Sequence, residues 1–445
     1  MNLKALTGFL ALGLSLSTCP ANAAQFGEFE IVGFLKDEYS ICDTCALGVV
    51  NSSTFDPRGA LTTLKPMLNQ GGASGETSAN LGLVMLSVGY AHEFDNAIKI
   101  EGRVTGRMRN NEADIFDHWV IDAYAGVIHP RSGSLHAGKM ASRSWTRSDS
   151  FAYPLGLSSP WAESGAGYGV FPQAVRYATR EFETSAGKLR MELTAGRAKR
   201  RSPINVGTVV TRAPSPEAYE LFVQFSNPSN LIELIYQDSQ GGRQSSFGKG
   251  ALYGAQGDTN GPTGSPGYRA PSQSVLILQG THWFNPQWNV SYGVKRNRWS
   301  GQQQQCDYGP VSAIAFACYW DQPGFNYSTD GKLYSASSTD LMVGASHIRN
   351  LWTFTAGAVQ MRKASTSNPT EWGQSNSAIF TNVGVYRKLP EIYKDLEVYA
   401  GVGHVSFDRR GPAPLSMPNN TAFFGADPRT TKATIGYTIG ANFKF

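Results

Sequence analysis

The chain is predicted to be all-β: a sixteen-stranded antiparallel transmembrane β-barrel with one loop folded into its interior. Three observations carry this. A long stretch at the C-terminal end alternates polar and apolar residues without a break, the connections between such stretches alternate between tight and long, and the composition suits turns rather than helices. Among 445 residues there are 48 Gly, 19 Tyr, 23 Phe and 9 Trp, and only 16% are charged. The aromatic content and a net charge of only +5 exclude a disordered chain. With 39 basic residues against 34 acidic ones the charge is too balanced for a nucleic-acid-binding protein, so no nucleic-acid partner is expected.

The N-terminus reads as an export signal. Lys4 gives a short basic region, Leu6 to Leu16 are almost entirely apolar, and Ala21-Asn22-Ala23 supplies small residues before a cleavage site. Residues 1–23 are therefore expected to be removed, leaving 24–445 as a single barrel domain. No later segment approaches the roughly 18 apolar residues that a membrane helix needs. Crossing by strands needs only about ten residues of alternation each.

The last strand is the clearest. Lys432, Thr434, Gly436, Thr438, Gly440, Asn442 and Lys444 form one face, and Ala433, Ile435, Tyr437, Ile439, Ala441, Phe443 and Phe445 the other. Polar beside water and apolar beside lipid is the barrel pattern. It recurs where Trp288, Val290, Tyr292 and Val294 alternate with Asn289, Ser291, Gly293 and Lys295. In chain order the strands are expected at 26–40, 82–94, 97–109, 118–128, 134–139, 174–182, 188–197 and 217–225. They continue at 231–239, 274–284, 288–298, 339–348, 351–362, 379–389, 396–407 and 431–445. Sixteen is even, as single-chain bacterial barrels require, and leaves an aqueous lumen.

Tight turn signals lie at Asp95-Asn96, Asn227-Pro228-Ser229-Asn230, Asn285-Pro286-Gln287 and Arg349-Asn350. Long polar connections are read at 40–80, 199–215, 241–270, 300–337, 362–377 and 409–429. Such lengths argue against a compact soluble domain but suit one rim of a barrel.

From Ala141 to Phe171 the strand pattern lapses. This segment is rich in Ser, Gly and aromatics, with Trp145, Phe151, Tyr153, Trp161 and Tyr168, and carries little charge beyond Arg143, Arg147, Asp149 and Glu163. A surface loop of that length would carry more charge, so it is predicted to fold inward as a constriction. Alternation assigns Lys99, Arg103, Arg107, Lys139, Arg176, Arg180, Arg190, Lys295 and Lys432 to the lumen, with Glu101, Asp122, Glu192, Glu220 and Glu233. Nine basic against five acidic groups predict a mildly positive lumen and weak anion preference.

Ser132-Gly133-Ser134-Leu135-His136-Ala137-Gly138-Lys139 resembles the strand that enters the constriction loop of the trimeric Gram-negative outer-membrane porins. Ala174-Val175-Arg176-Tyr177-Ala178-Thr179-Arg180-Glu181 resembles the strand that returns from it, and Gly436 to Phe445 resembles their terminal strand. The resemblance implies a general diffusion porin in the outer membrane, assembled as a homotrimer. It places Lys139, Arg176 and Arg180 beside the constriction. It also makes the final Phe445, with Phe443, a signal to the outer-membrane assembly machinery. Two departures stand out: Lys139 replaces the usual Arg, and the loop lacks an acidic cluster.

Other features carry less. Cys42, Cys45, Cys306 and Cys318 fall in expected loops of an exported protein, where disulfides are the default, and three pairings are open. Cys42-Asp43-Thr44-Cys45 lacks the βαβ context of a redox motif, and no His lies near either pair, so neither a metal nor a cofactor is expected. The run Arg197, Lys199, Arg200, Arg201 beside a rim loop reads as a contact for lipopolysaccharide phosphates or as a solvated face. None of the seven histidines sits in a hydrolase motif; His118 beside Asp117 is the one pairing of interest. The expected function is passive diffusion of ions and small hydrophilic solutes without enzymatic activity. The alternatives are a substrate-specific channel with a track of Trp145, Phe151, Tyr153, Trp161 and Tyr168, and an outer-membrane barrel hydrolase.

Overall fold

The structure, a computed structural model, describes residues 24–46, 74–109, 120–152, 158–198, 216–240, 272–300, 335–367, 376–410, 414, 416–417 and 431–445. Nearly all of the described chain is strand. The wall strands are β1 (Phe29–Ala46), β2 (Ser74–Glu93), β3 (Lys99–Arg109), β4 (Val120–His129), β5 (Gly133–Ala141), β6 (Val170–Ala178), β7 (Gly187–Arg197) and β8 (Glu217–Asn227). They continue as β9 (Asn230–Gln240), β10 (Ser272–Asn285), β11 (Trp288–Ser300), β12 (Ser335–Arg349), β13 (Trp352–Met361), β14 (Ala378–Lys388), β15 (Leu396–Phe407) and β16 (Ala433–Lys444). Each pairs antiparallel with its sequence neighbours, and β16 returns to β1 through pairs such as Tyr437 with Ile41 and Phe443 with Leu35. The sheet thus closes into a sixteen-stranded barrel, as its alternation predicts.

Three short pieces complete the ladder. Ala24–Phe26 pairs with the start of β1, Phe182–Thr184 pairs with β7 below the end of β6, and Ser365–Thr366 pairs with β12. Two expected boundaries are corrected. The connection read at 40–80 contains strand up to Ala46 and again from Ser74, so β1 and β2 stand well beyond their neighbours. The strand read at 174–182 starts at Val170 and breaks after Ala178.

The two faces follow the side-chain period of two. On β16, Tyr437 is 52% and Ile439 62% exposed on the outer wall, whereas Thr434 and Asn442 are buried toward the lumen. Around the tight-turn end, outward aromatics pack in pairs: Phe29 with Tyr90 at 5.1 Å, Trp288 with His347 at 4.3 Å, and Tyr393 with Phe443 at 4.5 Å. An apolar band edged by aromatics is the physical signature of a wall in lipid. At the opposite rim Lys363 and Asp408 pair at 2.5 Å. The ammonium holds the Asp408 carboxyl below its usual range.

The connection between β5 and β6 is not irregular throughout. It forms helix α1 (Arg143–Ala152) and helix α2 (Ser158–Glu163) inside the barrel. Trp161, Ala162, Ala166 and Tyr168 are buried there against lumen-facing side chains of the wall. The inward fold predicted for 141–171 is therefore present, with its helices unforeseen.

Candidate pore constriction

Helix α1 begins where the wall supplies its cap. Ser142 caps the first turn through its Oγ, which accepts from the Trp145 amide at 3.2 Å. The Glu220 carboxylate of β8 then accepts the amides of Arg143 at 2.6 Å and Ser144 at 3.0 Å. These are amides that a helix cannot satisfy itself, and the positive end of its dipole favours the anion. Arg143 turns back to hold Glu192 of β7 through Nε at 2.6 Å and Nη2 at 3.1 Å. Arg176 of β6 donates to Thr194 and to the Ala141 carbonyl, both at 2.8 Å, and lies 3.8 Å from Glu192.

One turn on, Arg147 of α1 is paired with Glu233 of β9, its Nε donating at 2.7 Å. Glu233 is 0% exposed and also accepts from Gln224 at 2.7 Å and Gln279 at 2.8 Å. A buried carboxylate needs this many donors, because an unpaired one would cost several kcal/mol.

The second helix is held by β10, β11 and β12. The Trp161 indole donates to Gln279 at 2.8 Å. The Lys295 ammonium donates to the carbonyls of Trp161 and Ser164, the latter at 3.0 Å, and lies 4.5 Å from the Trp161 ring centroid. Asn297 accepts from the Ala166 amide at 3.0 Å and donates to Asp340 at 2.8 Å. Asp340 in turn accepts from Ser416 at 2.9 Å, whose own carbonyl accepts the Gly165 amide at 2.8 Å. The segment after β15 therefore meets the constriction loop at one buried node.

These contacts divide the lumen. Along β9 to β12 the inward side chains Glu233, Gln237, Gln279, Lys295, Asn297 and Asp340 are all 0% exposed, covered by the loop. On the facing wall the inward side chains stay wet: Lys36 is 26% exposed, Glu38 20%, Glu101 25% and Arg103 20%. The open passage is off-centre, on the side of the lumen that β1 and β3 line with these wet side chains.

The predicted site residues distribute unevenly over this plan. Arg103 faces the passage, donating to Glu30 at 2.9 Å, and the Arg107 guanidinium lies 5.3 Å from the ring centroid of Trp145. Arg143, Trp145 and exposed Asp149 lie on α1. Lys139 is placed differently from expectation. The register sets it opposite Ala123, with the parity of outward Leu135 and Ala137 rather than that of inward His136. Arg180 is also displaced: it is exposed in the break between Ala178 and Phe182, its guanidinium 5.6 Å from the Phe182 ring centroid. Ten residues of descending chain, at roughly 3.3 Å each, separate it from the start of β6.

The aromatic track does not assemble as read. Trp161 is 0% and Tyr168 2% exposed, packed into the wall, and among the described side chains of the track Trp145 alone is partly exposed. Tyr153 and the side chains of Phe151 and Glu163 lie outside the described residues, as do residues 1–23, His118, Asp117, Cys306 and Cys318. Cys42 is disulfide-bonded, and the Cys45 side chain lies outside the described set. Sequence reasoning missed Gln237, Gln279, Asn297, Asp340 and Ser416 as loop anchors. The available signal was their inward parity as uncharged or lone acidic groups among apolar neighbours. Among the described residues no group of three His, Cys, Asp or Glu could hold a metal ion.

No family model and no curated protein sequence matches the chain. Solved structures do. The chain is similar to OmpF of Salmonella typhi, solved with daunomycin, with a TM-score of 0.55 and 9% identity over 95% of this chain and 100% of that one. It is similar to an anion-selective porin from Comamonas acidovorans with a TM-score of 0.53 and 8% identity, covering 95% and 100% of the two chains. The outer membrane channel DcaP of Acinetobacter baumannii gives a TM-score of 0.52 and 9% identity, covering 93% and 97%. At these identities the likeness is one of architecture, and the architecture of this chain is the outer-membrane porin fold: sixteen closed strands around a lumen narrowed by an inward loop.

Proposed function

We propose that this protein is an outer-membrane porin through which ions and small hydrophilic solutes diffuse passively, working as a homotrimer. The carrying observation is the loop held on one wall of the barrel by buried charge pairs and amides, which leaves a polar passage along the other. Pore width and charge filter the flux; no side-chain constellation for catalysis is required.

Selectivity in this reading is weak and leans to anions. The carboxylates that balance the arginines stand behind them: Glu192 is 2% exposed, while Arg143 is 21% and Arg190 35%. On the loop side an ion therefore meets guanidinium groups first, and exposed Asp149 with the wet Glu38 and Glu101 of the facing wall offsets part of their field. The reversal potential of the purified protein in a planar bilayer under a potassium chloride gradient tests this. Arg107→Glu is expected to lower the chloride-to-potassium permeability ratio. An unchanged ratio would refute the placement of Arg107 on the conducting path.

A further inference from the structure

We propose that the outward face of β9 to β12 at the long-loop end is a docking site for a phosphorylated lipid of the outer leaflet. In it Arg296 and Arg298 hold phosphate, and the rows beneath hold acyl chain. This rests on the outer-membrane reading above.

The register builds the site row by row. Asp238, Ser274, Arg298 and Ser337 stand side by side across four strands. The next row down is Tyr236, Leu276, Arg296 and Thr339, and the one below it Leu234, Leu278, Val294 and Leu341. Polarity thus falls from hydroxyls and guanidinium groups to hydrocarbon within three rows, which is the profile of an amphiphile lying against the wall.

The depth agrees. Arg296 and Arg298 lie eight and ten residues above Trp288, the aromatic at the turn end of β11. With strands tilted near 40°, each residue climbs roughly 2.5 Å, so the guanidinium groups stand about 20 to 25 Å above it, at the upper edge of an apolar band about 25 Å tall.

The pairing of Arg296 is what points to an anion. Its Nη1 donates to Thr339 at 2.9 Å and its Nη2 to Ser337 at 3.0 Å, so hydroxyls fix the fork without neutralising it. Among the described residues no carboxylate makes an ion pair with Arg296, whereas Arg298 feels the Asp238 carboxylate of its own row across Ser274. Arg197, also outward at this rim, is by contrast paired with Glu217 at 2.6 Å. A planar, oriented, uncompensated guanidinium suits bidentate phosphate, and the neighbouring hydroxyls can donate to the same group.

The test is native mass spectrometry of the refolded protein in detergent with three probes: a diphosphorylated glycolipid, the same lipid without phosphates, and inorganic phosphate. The wild type is expected to retain the phosphorylated lipid. Arg296→Gln with Arg298→Gln should lose at least tenfold in retention and fall to the level of the phosphate-free lipid, while inorganic phosphate binds neither protein. Equal retention by variant and wild type overturns the proposal. So does binding of inorganic phosphate as strongly as the lipid, or a changed oligomeric state with lipid retention unaltered. Channel conductance in planar bilayers is read in parallel: a conducting variant without lipid retention supports the site, whereas a wild type that forms no channels refutes the porin reading instead.

Discussion

Gly33 and Phe445 close the barrel by exchanging backbone hydrogen bonds. The Gly33 amide donates to the Phe445 carbonyl at 2.7 Å, and the Phe445 amide donates to the Gly33 carbonyl at 3.1 Å. The Phe445 ring occupies the space where a β-carbon on residue 33 would stand, which is why this position accommodates glycine. Gly33→Val should lower the temperature at which the folded band is lost on unboiled gels, by an overpacking cost of about 1–3 kcal/mol. Adding Phe445→Ala should recover most of that loss, and a double variant no better than the single would contradict the contact.

Arg147→Met should be among the more damaging changes in the loop. It strands Glu233, which is 0% exposed, at a cost of about 3–5 kcal/mol. Single-channel recordings should show larger open-channel current noise as α1 loosens. Combining it with Glu233→Leu should quieten the channel again, because the stranded charge is gone.

Lys295→Met removes the donor shared by the Trp161 and Ser164 carbonyls at the second helix. The expected outcome is a barrel of normal gel mobility whose conductance fluctuates between several levels. A single sharp level identical to the wild type would mean that Lys295 does not position the loop.

Trp145 and Trp161 should respond oppositely to alanine. Trp145 borders the passage beside Arg107, so its loss should raise conductance with little effect on the unfolding midpoint. Trp161 is 0% exposed, and Trp161→Ala should cost about 3–5 kcal/mol of loop packing. Conductance and thermal gel shifts measured on both variants check the pair.

How far the sequence could be read depended on what each residue touches. The faces of β16 were legible because hydrocarbon demands an apolar residue at every second position, and Tyr437 and Ile439 meet that demand. The extensions 41–46 and 74–81 were not, since strand beyond the apolar band has no reason to alternate. Lys139 and Arg180 were misplaced because the alternation was read without register or distance: Lys139 shares parity with Leu135, and Arg180 lies ten residues from the start of β6, past its end at Ala178. Trp161 and Tyr168 were legible as aromatics in an inward loop, but composition cannot say whether a ring faces water or wall. The Trp161 ring is turned by Gln279, which accepts its indole N–H from 118 residues on, and Gln237, 69 residues on, fixes the Tyr168 backbone.

The Glu220 cap on α1 bears on the order in which the molecule forms. Neighbouring hairpins need only nearby chain, but the anchors of α1 and α2 lie 77 residues on at Glu220 and 131 residues on at Lys295. Contacts of such long sequence separation pay their loop-closure entropy first and are made late. The aperture is thus a product of completed assembly, fixed only once the distal strands have arrived.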